Sequence, residues 1–196
     1  DNRVVLDPET LELIRRSTPE EPVDTFAIGV GARNVFAEHM NVGERLLREK
    51  RYFAAEERFT RAIAIRPGDP TAALARMHAQ IGAGMYRSAA SNLMDLLIRH
   101  PEGAAVRYTG GLIPDQARCR VVAETLRTRL DRNDPIASEA ALLLAYLGFQ
   151  HEQADWLEEG LQSLDEFGAP EPASAVIQGK IPRDGVVALI RELWTN

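Results

Sequence analysis

The chain has 196 residues, 45% of them hydrophobic and 27% charged, which is the balance of a folded globular chain and not of a disordered tail. Its 23 basic and 29 acidic side chains give a net charge of −6, and at this length one domain or one short repeat array is expected. No stretch approaches the roughly 18 apolar residues that span a bilayer, and the single Cys119 excludes an internal disulfide framework or a multi-cysteine zinc site. The basic residues are 21 Arg and only Lys50 and Lys180, a bias that points to a GC-rich bacterial genome. The first residue is Asp1, which suggests a processed chain or a fragment, with a lean to a bacterial extracytoplasmic address and a cytoplasmic one as the alternative.

Residues 1–31 read as a separate N-terminal segment. Asp7-Pro8-Glu9-Thr10 offers a capping acid, a first-turn proline and an early Glu, which start a short helix ending near Arg16. Ser17–Asp24 holds Pro19 and Pro22 and reads as a loop. The segment has too few apolar residues for a core, so it is expected to be ordered only by docking on its own array or on a partner. Ala27-Ile28-Gly29-Val30-Gly31-Ala32 lacks the third glycine and the βαβ context of a dinucleotide loop and reads as a flexible lead-in.

A period dominates the middle of the chain. Pro67, Pro101 and Pro135 stand 34 residues apart, as do Ala55, Ala89 and Ala123, Tyr52 and Tyr86, Phe59 and Leu93, and Ala62, Leu96 and Leu130. Small residues at Gly43 and Ala55 let two helices approach, Tyr52 and Phe59 fill the space around the contact, and each proline stops a helix. The run Val42-Gly43…Leu46…Tyr52…Ala55…Phe59…Ala62…Pro67 resembles the tetratricopeptide repeat, with His39 where that family carries an early Trp. The resemblance implies an all-α solenoid of three to four helix pairs over residues 32–168, in units 32–67, 68–101, 102–135 and 136–168.

The copies are uneven. In the second, Arg76 and Gln80 stand where the family prefers large apolar groups, which allows a one-residue frame shift around Ile81-Gly82-Ala83-Gly84. In the third, Gly110-Gly111 and Pro114 fall inside the first helix; glycine costs about 1 kcal/mol and proline about 3 in a helix interior. That helix is therefore expected to be broken, bent or shortened, with a sound second helix over 115–132. A fourth pair is expected at Ser138–Gly148 and Glu152–Glu166, with Ala154 as its small residue and a spacing about three residues short. Residues 169–196 then form a linker at Ala169-Pro170-Glu171-Pro172 and an amphipathic helix over Ile181–Trp194, expected to cover the array's last apolar face.

No motif carries catalysis. The chain has no phosphate-binding loop, nucleophile elbow or His-Glu-x-x-His run. His39, His78, His100 and His151 are scattered singly, so no metal and no cofactor are expected. Cys119 lies between Arg118 and Arg120, which could activate a thiol, but no base can be named beside it and a half-buried structural role is expected. Residues 32–135 carry 17 basic and 12 acidic groups, a modest excess, and their aromatics belong to repeat cores, so nucleic acid is not expected.

The tetratricopeptide resemblance implies a non-enzymatic interaction module, a scaffold or assembly subunit holding a protein or peptide on its concave face. Alternatives are a regulatory or substrate-presenting subunit of an enzyme complex, or a structural subunit of a larger assembly. Carried over position by position, the groove would present Met40, Glu44, Leu47 and Arg48, then Leu74, His78 and Ile81, then Tyr108. A central Glu and the lack of Lys or Asn argue against a carboxylate clamp.

Overall fold

The computed structural model describes residues 34–109, 111–131, 133–174 and 179–195, together with Glu12. Apart from Glu12, the expected N-terminal helix, its loop and the Ala27–Ala32 glycines lie outside the described residues. The described residues are all-α, with no strand among them: α1 (Val35–Arg48), α2 (Tyr52–Ile65), α3 (Pro70–Ala83), α4 (Tyr86–Arg99), a 3-10 turn (Pro101–Ala105), α5 (Gln116–Arg127), α6 (Ala137–Gln150), α7 (Ala154–Phe167) and α8 (Arg183–Trp194).

Local chemistry sets the helix ends. The side chains of Asn34, Asp69 and Asp115 accept the N–H of Ala37, Ala72 and Arg118, satisfying amide donors left free at the starts of α1, α3 and α5. Proline at the first position of α3 adds no donor to be satisfied. Three helix ends share one turn. Lys50, Gly84 and Glu152 take left-handed φ values of 62°, 78° and 54°. The next N–H then bonds the carbonyl five residues back: Arg51 to Leu46, Met85 to Gln80 and Gln153 to Gly148, each at 2.9 Å.

These turns are spaced 34 and 68 residues apart, and so are the starts of α2, α4 and α7 at positions 52, 86 and 154. Two expectations change as a result. The second copy has no frame shift at its turn, and the fourth pair is in full phase, not three residues short. Ala154, at the Tyr52 position of the phase, is exposed. The close approach in that pair is made by Gly160 and Gly148: a Cβ on Gly160 would lie 2.4 Å from the amide nitrogen of Ala145, and one on Gly148 would lie 2.3 Å from that of Leu157.

Arg76 and Gln80 are accommodated without apolar replacement. Arg76 donates to Asn92 Oδ1 at 2.8 Å, Asn92 Nδ2 donates to Gln80 Oε1 at 2.8 Å, and Gln80 Nε2 donates to Glu56 Oε1 at 3.2 Å. This chain of amides ties α2, α3 and α4 together. Ala55, Ala89 and Ala123 are fully buried. One apolar cluster spans α1 to α3 around Phe59, and a second runs from Met77 on α3 to Trp194 on α8.

The third unit breaks the phase. Its second helix, α5, starts at Gln116, about one turn before the position that would continue the series, and its first helix is absent among the described residues. Pro101 ends α4 and opens the 3-10 turn; residues 106–109 and 111–115 then run without helix. The amphipathic C-terminal helix forms as expected, but it packs against the 3-10 turn and α4 as well as α7. The linker before it crosses α4: Ala173 N–H bonds Ser91 O, Ser174 bonds both oxygens of Asp95, and Lys180 N–H bonds Ile98 O at 2.8 Å.

Candidate functional site

Where a helix would have stood, four side chains pin the irregular segment. Trp194 Nε1 donates to Ala104 O at 2.6 Å. Gln150 accepts the Tyr108 N–H at 2.8 Å and donates to Val106 O at 2.9 Å, so one buried amide holds the loop at two points. Arg107 pairs with Glu152 at the surface. His78 completes the set: its ring lies 2.5 Å from Leu112 O through Nδ1 and 2.5 Å from the Tyr146 hydroxyl through Nε2. A carbonyl only accepts, so Nδ1 carries the proton and Tyr146 donates to Nε2.

His78 is fully buried, and desolvation pushes its pKa down to about 3 against a smaller upward pull from the Leu112 bond. Both nitrogens are committed and the ring is neutral, so it has no lone pair to offer as a base. Cys119 is equally inert. Burial pushes its thiol up to about 12, Asp115 adds to the rise, Arg118 opposes it, and the sulfur donates to Pro114 O at 3.2 Å. Among the described residues no group of three or more His, Cys, Asp or Glu could hold a metal ion, and no helix is long and apolar enough to cross a membrane.

The segment fills its slot incompletely. Gly103, Ala104 and Val106 present little side chain to Leu74 of α3 and to Leu93, Leu96 and Leu97 of α4. A cavity of about 300 Å³ remains between them, floored by Tyr108 and Tyr146 and rimmed by Thr71, His100 and Glu102. Lys180 Nζ holds Glu102 at 2.9 Å and His100 Nδ1 lies 3.4 Å from it. Glu102 is therefore stabilised as a carboxylate: burial raises its pKa, but the Lys180 and His100 contacts outweigh that and lower it.

The eight residues expected to face a partner divide sharply. Met40, Glu44, Leu47, His78 and Ile81 are buried in the chain's own interior, at 0%, 7%, 3%, 0% and 0% exposure. Burial also favours the protonated form of Glu44, although the Arg48 charge opposes it. Arg48 is exposed, its stem lying over Gly111, where a Cβ would meet it at 2.4 Å. Leu74 and Tyr108 are half-buried and line the cavity. The structure thus brings Leu74 and Tyr108 together, leaves Arg48 to one side and withdraws the rest.

Gln150, Tyr146 and Trp194 do as much to build the site, and inspection of single motifs does not single them out. The period does contain a signal. Leu112 and Tyr146 stand 34 and 68 residues after His78, and Glu44 stands 34 before it, so both bonds of the imidazole go to its own repeat equivalents. Compared with family models, curated proteins and solved structures, the chain finds no match.

Proposed function

We propose that the protein is a non-enzymatic, tetratricopeptide-like interaction module: a short α-solenoid that holds a segment of another protein at the surface shared by Leu74 and Tyr108, with Arg48 to one side of it. One observation carries the reading, the recurrence of the same left-handed turn at Lys50, Gly84 and Glu152 with helices starting in one phase after it. Stacked units of this kind leave a long inner surface for partners. Arg and Tyr are also the types that most often dominate binding energy at such surfaces. Fold alone does not assign a function, so the reading is tied to named side chains.

Tyr108 cannot be truncated cleanly, because its ring packs edge-on to His78 with centroids 5.3 Å apart. The informative pair is therefore Arg48→Glu with Leu74→Ala. Affinity isolation from the cells of origin, with identification of bound proteins, is expected to recover a partner on the parent chain and lose it on the double variant. Melting temperatures of the two chains should agree within a few degrees. The same proteins captured at equal yield by both chains would reject this surface.

A further inference from the structure

We propose that the cavity between α3, α4 and the 3-10 turn is a binding site for a small uncharged ligand: a mostly apolar body of about two fused rings carrying one hydrogen-bond acceptor. The cavity shares Leu74 and Tyr108 with the proposed partner surface, but a small-molecule probe reads it without any partner present. It exists because the third unit lost its first helix. Pro101 ends α4, and Gly103, Ala104 and Val106 leave part of the wall made by Leu74, Leu93, Leu96 and Leu97 unfilled.

Size sets the body of the ligand. An apolar cavity of ~150 Å³ is enough to hold benzene. The cavity here measures about 300 Å³, and at interior packing density it takes about 220 Å³ of atoms. That is a bicyclic skeleton with short substituents. Ligand sites of small molecules are typically of this kind, apolar walls with a few fixed polar groups.

Polarity sets the rest. The rim charges are already spoken for, Glu102 by Lys180 and by His100, so no unpaired charge among the lining residues calls for an ion. Tyr146 uses its hydroxyl on His78. Tyr108 is left: its ring is held against His78, its N–H is held by Gln150, and it lines the cavity with its hydroxyl engaged in none of these contacts. Burial pushes the Tyr108 pKa upward, so the hydroxyl stays a donor at any ordinary pH. A donor in an apolar wall selects an acceptor, such as a ketone, ester or ether oxygen.

The test uses the purified chain and the fluorophore prodan, an uncharged dimethylamino-naphthalene with one ketone, whose emission shifts to the blue on leaving water. Saturable, blue-shifted binding of one probe per chain is expected, with a dissociation constant on the order of 10 µM. Tyr108→Phe keeps the ring and removes the donor, and should weaken the probe about fivefold. Gly103→Phe places a ring on the cavity wall, and because a Cβ at Gly103 meets nothing within 4 Å the change should leave the fold intact. It should abolish the signal. Leu74→Trp fills the cavity from the α3 side and serves if the first variant fails to fold. An unsaturable or absent blue shift on the parent chain overturns the proposal. So does undiminished binding by either filled variant that melts like the parent, which would move the probe elsewhere.

Discussion

The pairs α1–α2, α3–α4 and α6–α7 and the stretch from Pro101 to Arg127 obey different rules, although one period runs through all of them. In the pairs, each turn closes with a left-handed residue, and glycines stand where a Cβ would clash: Gly43 against Phe59, Gly82 against Tyr52, Gly148 and Gly160 against the facing backbone. In the third unit the phase survives only at single residues. Leu112 still meets its repeat equivalent His78, yet its backbone is not helical. Position in the period fixes which residues meet, whereas helix formation depends on local cost. Glycine and proline in the third unit raise that cost beyond what packing returns, and long-range hydrogen bonds from Trp194 and Gln150 hold the loop instead.

The sharpest way to break this contrast is the same kind of substitution in both regions. Gly160→Leu drives a side chain into the α6 backbone, where even a Cβ falls within 2.4 Å of Ala145. Overpacking against backbone should cost about 3 kcal/mol or more, while Gly103→Leu in the open slot should stay within about 0.5 kcal/mol. Urea titrations of both variants measure the difference. Equal effects would mean that the slot is as tightly filled as the pairs.

Next in size is the imidazole that joins the two regions. His78→Phe leaves Leu112 O and the Tyr146 hydroxyl without their partner, which should cost about 3 kcal/mol near neutral pH. The pH dependence has a definite sign. The folded pKa, about 3, lies below the ordinary 6.5. The unfolded chain therefore binds the proton first, and stability present above pH 6.5 is lost as pH falls toward 3. The loss is at most about 1.4 kcal/mol per pH unit. The gap between parent and variant should thus narrow by about 2 kcal/mol between pH 6.5 and 5. Glu102 and Asp115, lowered in the folded state, and Glu44, raised by burial, titrate alike in parent and variant and leave the gap unchanged. His151, also shifted down by burial, contributes equally to both chains. A constant gap would show that His78 is not buried neutral.

Two smaller tests sharpen what the phased pairs require. Asn92→Ala orphans Arg76 and Gln80 at once and should cost about 2 kcal/mol by thermal melt. Glu152→Gly relieves a left-handed non-glycine residue but gives up the exposed Arg107 pair, so it should stabilise by about 0.5 kcal/mol, while Gly84→Ala should destabilise by about 1 kcal/mol. If neither moves the midpoint, the recurrent turn is not what sets the phase.

Much of the helical layout is legible in the sequence. Pro67 and Pro101 mark helix ends, the alanines at 55, 89 and 123 mark buried contacts, and Gly110, Gly111 and Pro114 mark the helix that does not form. The fourth pair is harder to read because its turn uses Glu152 where the second uses Gly84, and its close approach uses Gly160, which no earlier copy shares. The candidate site is less legible. A groove derived from repeat position assumes a first helix in every unit, and the missing one lets the interior close over His78 and Ile81. The leucines of the cavity read in sequence as ordinary core, since nothing local says that Gly103 and Ala104 would face them.

The hydrogen bond from Trp194 to Ala104 joins residues 90 apart. It has a kinetic consequence. Helices α1 to α4 meet their neighbours within a few tens of residues, and loops that short close fast. The walls of the slot wait for Ser174, Lys180 and Trp194, which cross α4 and seal the 3-10 turn from far along the chain. During synthesis the first two pairs can therefore assemble while the leucines of α4 stay uncovered, an interval in which a chaperone or a neighbouring chain could reach them.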